Sequence, residues 1–174
     1  DRCTSRGLGD VYKRQGVLVD RLLLNQTLQL LAHVYAPKAL GAFHLYCAMA
    51  PRRLEALLLF SSITSALGNV GQANYAAANA ALDALALRRR VCGGVAASAM
   101  QLPLVGGAGM GAAALNKRQI EAMGAISLDE YAACAGAALT PSRKGAGCTV
   151  HTLLPSALLR SVADASRGAF VELR

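Results

Sequence analysis

The sequence predicts an α/β fold, a doubly wound parallel sheet with helices on both faces. Three observations carry this. Short apolar runs of strand length alternate with longer Ala/Leu-rich stretches of helical period. The clearest of them, Leu54–Phe60, is a short, largely apolar run with bounded ends, as a strand buried in a parallel sheet reads. Aromatics make up 5% of the 174 residues and there is no Trp, so Ala, Leu and Val must build the core. Small residues favour helices laid closely on a sheet over an aromatic-rich sandwich.

The elements follow in order. Residues 1–15 (DRCTSRGLGDVYKRQ) are polar, lack an apolar period and read as a tail or an unrelated junction. From Leu22, the residues Leu23, Leu24, Leu28, Leu31, Val34 and Tyr35 recur near helical spacing. Pro37 interrupts, and Lys38–Ala50 continues as a second helical stretch. Leu54–Phe60 is a short apolar run closed by Ser61 and Ser62, and predicts a buried strand. Residues 65–72 form a Gly-containing loop. Ala73–Arg90 is an Ala/Leu-rich helix, stopped by Gly93 and Gly94. Val95–Leu102 is the second strand, and Pro103–Ala114 a Gly-rich loop. Lys117–Met123 and Ser127–Leu139 are short helices, the latter opened by a Ser127/Glu130 capping box. Cys148–Leu154 is the last strand.

A doubly wound nucleotide domain starts with a βαβ half of its own. Nothing ahead of residue 16 reads as one. The expected unit is therefore the second half of a Rossmann-like domain, spanning 16–160 and lacking the N-terminal cofactor-binding half. Residues 161–174 read as a linker or tail.

Composition excludes several function classes. The net charge of +8 comes from 18 Lys+Arg against 10 Asp+Glu. However, Arg88, Arg89 and Arg90 fall at a helix end, where the backbone dipole favours cations. No basic run carries interleaved aromatics, so no nucleic-acid partner is expected. Residues 56–82 and 91–116 lack charge but carry Gly, Asn, Gln or Ser throughout, which excludes a membrane span. Cys3, Cys47, Cys92, Cys134 and Cys148 are odd in number without a C-x-x-C pair. They predict buried free thiols in a reducing compartment, the cytoplasm. His33, His44 and His151 have no metal-ligand spacing, and no metal is expected.

The segment 60–83, FSSITSALGNVGQANYAAANAALD, carries the chemistry. Ser62 closes a parallel strand at its carboxyl end, where open α/β sheets place their sites. Tyr75 opens the next helix, and Asn79, four residues on, shares its face. A hydroxyl and a phenol so placed can both reach one carbonyl oxygen, which suits protonation of a developing oxyanion. An unperturbed phenol titrates near 10, so proton relay at neutral pH needs a nearby cation. Lys38 is the candidate. Gly107, Gly109 and Ala112 fit a loose G-x-G-x-x-A, but no acidic residue follows about 20 positions on, as a dinucleotide fingerprint asks.

Four segments, GVLVDRLLLNQT (16–27), APKALGAFHL (36–45), LFSSITSALGNVGQANYAAANAALDALA (59–86) and GGAGMGA (106–112), resemble the ketoreductase domain of polyketide synthases, within the short-chain dehydrogenase/reductase superfamily. The resemblance implies NADPH-dependent reduction of a 3-ketoacyl chain carried on the phosphopantetheine of an acyl carrier protein, beside other synthase domains. It implies Tyr75 as the catalytic acid, Ser62 as the carbonyl-orienting hydroxyl, and Lys38 as the lysine that contacts cofactor and relays the proton. Tyr75 lies with Lys38 in the cofactor contact, and Asn79 is the active-site asparagine. Free-standing relatives carry Tyr-x-x-x-Lys. Here Asn79 takes that fourth position and the lysine comes from the earlier helix.

The resemblance also marks two positions for stereochemistry. Asp20 stands in the loop where a Leu-Asp-Asp motif marks one facial class, and Leu67 stands where a Trp marks the other. This implies a D-configured 3-hydroxyl. Two departures stand out: only Gly16 fits the family's His-x-Ala-Gly, and Gln101–Val105 replaces a Trp-containing segment. A fatty-acid-synthase ketoreductase, or a catalytically silent structural remnant of a synthase, is the alternative.

Overall fold

A computed structural model of the protein describes residues 16–49, 54, 56–91, 96–106, 125–139, 150–155 and 160. Three parallel strands, β1 (Ala56–Ser62), β2 (Ala96–Leu102) and β3 (Val150–Thr152), form one sheet in the order β1-β2-β3. The register sets Ala56 beside Ala96 and Ser62 beside Leu102, so β1 and β2 end together. Parallel neighbours need a crossover. Between β1 and β2 it is a short helix α3 (Thr64–Leu67) and a long helix α4 (Ala73–Val91). Ahead of β1 lie α1 (Leu28–Tyr35) and α2 (Gly41–Met49); α5 (Leu128–Leu139) precedes β3.

The strands are covered on both faces. Leu59, Ala99, Leu82 and Ala86 form the core with Ala42 of α2, and Leu57, Leu85 and Val150 pack against it. On the opposite face, the Phe60 ring lies 6.1 Å from that of Tyr131 on α5. Ala78, Ala86, Ala97 and Ala99 are all buried. With nothing beyond Cβ at these positions, α4 approaches the sheet closely, as the Ala-rich composition implies.

Several sequence expectations change in detail. The strand expected over Leu54–Phe60 runs on through Ser61 and Ser62. The helix expected from Leu22 starts only at Leu28, because the Thr27 hydroxyl accepts the Leu30 N–H and caps it. Leu23–Asn25 is a single 3₁₀ turn, and Leu24 is 97% exposed instead of lining a buried stripe.

Pro37 does not break the chain. Ala36–Leu40 forms a π turn that joins α1 to α2, and the wider turn accommodates the proline ring and its missing N–H. Residues 65–67 of the expected 65–72 loop are helical, as part of α3. Gly68 and Gly71 follow with φ of 72° and 77°, conformations that favour glycine. The capping box forms: Ser127 N–H donates to Glu130 at 2.7 Å, and Glu130 N–H to the Ser127 hydroxyl at 3.1 Å.

Cys47 is exposed and Cys134 half-buried, so these thiols are not buried as expected; the α2 residue in the core is Ala42. The expected tail (1–15), Gly93 and Gly94, the fingerprint-like Gly107, Gly109 and Ala112, the 117–123 helix, Cys3, Cys92, Cys148 and residues 161–174 lie outside the described residues. No described helix is long and apolar enough to cross a membrane, and no described cluster of His, Cys, Asp and Glu could hold a metal.

Leu82 is 2% exposed and sits where α4 meets both long strands. Leu82→Ala should cost about 2–5 kcal/mol in denaturant unfolding. A change below about 1 kcal/mol would contradict this packing, since cavity creation in a closed core is felt fully.

Candidate active site

Ser62 is the last residue of β1 and is buried. Its hydroxyl accepts the Thr64 N–H at 3.3 Å, which fixes the oxygen at the sheet's carboxyl end. Tyr75 sits in the first turn of α4. Asn79 follows one turn later and is fully buried. Its Nδ2 donates to the Tyr75 backbone carbonyl at 2.8 Å, and its own carbonyl accepts the buried Ser61 hydroxyl at 3.2 Å. Asn79 Oδ1 has no partner among the described residues.

Lys38 lies in the π turn between α1 and α2. Its Nζ donates to the Tyr75 phenol oxygen at 3.3 Å and stands 4.7 Å from the ring centroid. The structure thus brings together all four expected residues, from three separate elements. Burial raises the Tyr75 phenol above its ordinary 10.0, while side-chain hydrogen bonds with Asn79 and Ser62 act in the opposite direction. A cation against the oxygen also favours the ionised form.

The two positions expected to bear on stereochemistry are both exposed. Asp20 is exposed and accepts a hydrogen bond from Gln72 Nε2 at 3.3 Å. Leu67 ends α3 and is exposed. The loop before Tyr75 is tied to residues 19–21 at further points. Arg21 N–H donates to the Gly71 carbonyl at 2.8 Å, and Asn74 Nδ2 to the Val19 carbonyl at 2.9 Å.

Asn74, buried beside Tyr75, was not among the expected site residues, nor were Ser61 and Gln72. The signal available for Gln72 and Asn74 is a pair of amides at the start of α4, residues whose side chains bond nearby backbone. As a donor set, the arrangement presents an ammonium, a phenol and a hydroxyl at the carboxyl end of a parallel strand. It can hold and protonate a developing oxyanion.

Asn79→Ala removes one of the two hydrogen bonds that offset burial of the phenol. It should raise the Tyr75 titration further, read by site-specific isotope-labelled NMR. A downward move would contradict the assigned balance.

The KR domain family matches residues 3–107. The spectinabilin polyketide synthase system protein NorB of Streptomyces orinoci is 46% identical over 111 residues, 64% of this chain and 5% of that protein. The first ketoreductase of the tylosin PKS superposes with a TM-score of 0.63 at 37% identity, covering 79% of this chain and 29% of that one. An A-type ketoreductase from a modular polyketide synthase gives 0.68 at 30% identity, covering 87% of this chain and 34% of that one. The chain thus spans about a twentieth of the first curated relative and about a third of these solved ketoreductases. With more than half of its length matched, the chain belongs to the KR domain family, the ketoreductases of polyketide synthases.

Proposed function

We propose that this chain carries the proton-donating part of a domain that reduces the 3-keto group of a chain tethered to an acyl carrier protein, within a polyketide synthase. The observation that carries the reading is the Lys38 ammonium 3.3 Å from the Tyr75 phenol, with the buried Ser62 hydroxyl at the neighbouring strand end. NADPH, when bound, supplies the hydride. The residues present fit such a group: Lys38 and Tyr75 offer donors suited to ribose hydroxyls, and Asn79 keeps a buried, unpartnered acceptor among the described residues.

Ser62 and Tyr75 donate to the ketone oxygen and orient the carbonyl. As the carbonyl carbon gains the hydride, negative charge gathers on that oxygen, and both donors bind it more strongly than the neutral ketone. Tyr75 then transfers its proton to the oxygen, giving the 3-hydroxyl. Lys38 stabilises the phenolate left behind and is placed to return a proton to it. Asn79 bonds the Tyr75 carbonyl and holds the first turn of α4 in place. Asp20 and Leu67, the last residue of α3, favour the D-configured 3-hydroxyl in this reading; a predominant L-alcohol by chiral chromatography would contradict that part.

In a polypeptide containing the whole domain, Tyr75→Phe should lower turnover by at least about 100-fold while NADPH affinity stays unchanged. Near-normal turnover would overturn the assignment. The pH dependence has a definite sign. Only the protonated phenol can donate, and its pKa lies above 10.0 before ligands bind. The rate of reduction should therefore hold through neutral pH and fall only as pH rises through the phenol's titration. A fall set in below neutrality by loss of an acid would assign the proton to another group.

A further inference from the structure

Behind the strand end that carries Ser62 lies a second polar set that the proton transfer does not use, buried at Asp83 and Gln101, half-buried at Ser65 and exposed at Thr152. It comprises Ser65 of α3, Asp83 of α4, Gln101 of β2 and Thr152 of β3. Gln101 Nε2 donates to Asp83 Oδ2 at 2.8 Å and to Ser65 Oγ at 3.0 Å, and Gln101 Oε1 accepts the Thr152 hydroxyl at 2.6 Å. An ionised carboxylate only accepts, which fixes the amide with its nitrogen toward Asp83. The Ser65 oxygen stands 2.7 Å from Asp83 Oδ2 and 2.8 Å from the Ser62 carbonyl oxygen, so its one proton is held between the two.

Asp83 and Gln101 are 8% and 7% exposed. Burying a carboxylate is costly, and apolar packing would hold α4 to the sheet as well or better. A polar set here therefore points to placement. Tyr75, Asn79 and Asp83 are spaced four apart and form one stripe of α4. Each member meets the end of β1 or the turn after it: Tyr75 meets Ser62, the Asn79 carbonyl meets the Ser61 hydroxyl, and Asp83 meets Ser65. The turn is further pinned by Ile63 N–H, which donates to the Leu102 carbonyl at 3.0 Å.

We propose that Asp83, acting through Ser65 and Gln101, is a positioning residue that sets the Ser62 turn, and with it the Ser62 hydroxyl, against Tyr75. The proposal rests on the reading of Ser62 and Tyr75 given above. Gln101 stands at the head of the segment that departs from the family's Trp-containing pattern, and in this chain it links the turn to β3 as well as to α4.

The test uses a polypeptide containing the whole domain, with Tyr75→Phe as control. Ser65→Ala and Asp83→Leu should each lower kcat about tenfold, with KM for NADPH unchanged. Because both act through one path, the double variant should be no slower than the slower single. Asp83→Asn should stay within about threefold of the parent, since its amide oxygen can take the Oδ2 place and its nitrogen the unpartnered side. Hydrogen exchange at residues 63–67 should quicken in Ser65→Ala, a readout independent of turnover.

Unchanged kcat in both single variants, or losses that multiply in the double, would overturn the proposal. If Asp83→Leu does not fold, Ser65→Ala decides by its kcat and its exchange. An active Tyr75→Phe would sink the functional reading itself. An inactive Tyr75→Phe beside normal Ser65→Ala and Asp83→Leu would sink only the positioning role.

Discussion

The contact between the Lys38 ammonium and the Tyr75 phenol, 3.3 Å across 37 residues of sequence, is the interaction on which the site depends. Burial alone pushes the phenol away from ionisation, since a buried anion lacks solvation. An acid that must give up its proton and take it back needs the resulting charge stabilised. The cation and the hydrogen bonds with Asn79 and Ser62 act in that direction. Three elements set the partners. The π turn around Pro37 sets Lys38, α4 sets Tyr75, and the carboxyl end of β1 sets Ser62.

Composition and chemistry are connected through packing. A core of Ala, Leu and Met leaves α4 close enough to the sheet for the Asn79 carbonyl to accept from a strand-end hydroxyl at 3.2 Å. Larger side chains at Ala78, Ala86 or Ala99 would lift the helix off the strands. The face of the helix that meets the strand end carries Tyr75, Asn79 and Asp83, one turn apart. The same face that buries apolar area through Leu82 and Ala86 therefore also registers polar groups against Ser61, Ser62 and Ser65.

Much of this was legible in the sequence. The strand runs, the parallel class and the Ser62 and Tyr75 pair rest on local signals, apolar run length and a serine pair at a strand end ahead of a helix; Asn79 and the lysine role of Lys38, 37 residues from Tyr75, came with the family resemblance. The parts that were not legible have physical causes. Proline normally marks a break, and only the backbone shows that a π turn absorbs it. Leu22, Leu23 and Leu24 read as a helix face, yet the Thr27 cap decides where α1 begins. Asp83 and Gln101 are 18 residues apart on a helix and a strand, so no spacing rule pairs them; only the close approach of α4 to β2 does. Cys47 looked like a core thiol by residue type, and its place on α2 leaves it exposed.

In the proposed reaction the Ser62 and Tyr75 hydroxyls converge on a single substrate oxygen. A crystal structure of the whole domain with NADP⁺ and a bound 3-hydroxyacyl thioester would test it most directly. The 3-oxygen is expected within about 3.2 Å of both Ser62 Oγ and Tyr75 Oη, with Lys38 still against the phenol. A 3-oxygen bound away from either hydroxyl, or a Lys38 withdrawn from the phenol, would contradict it.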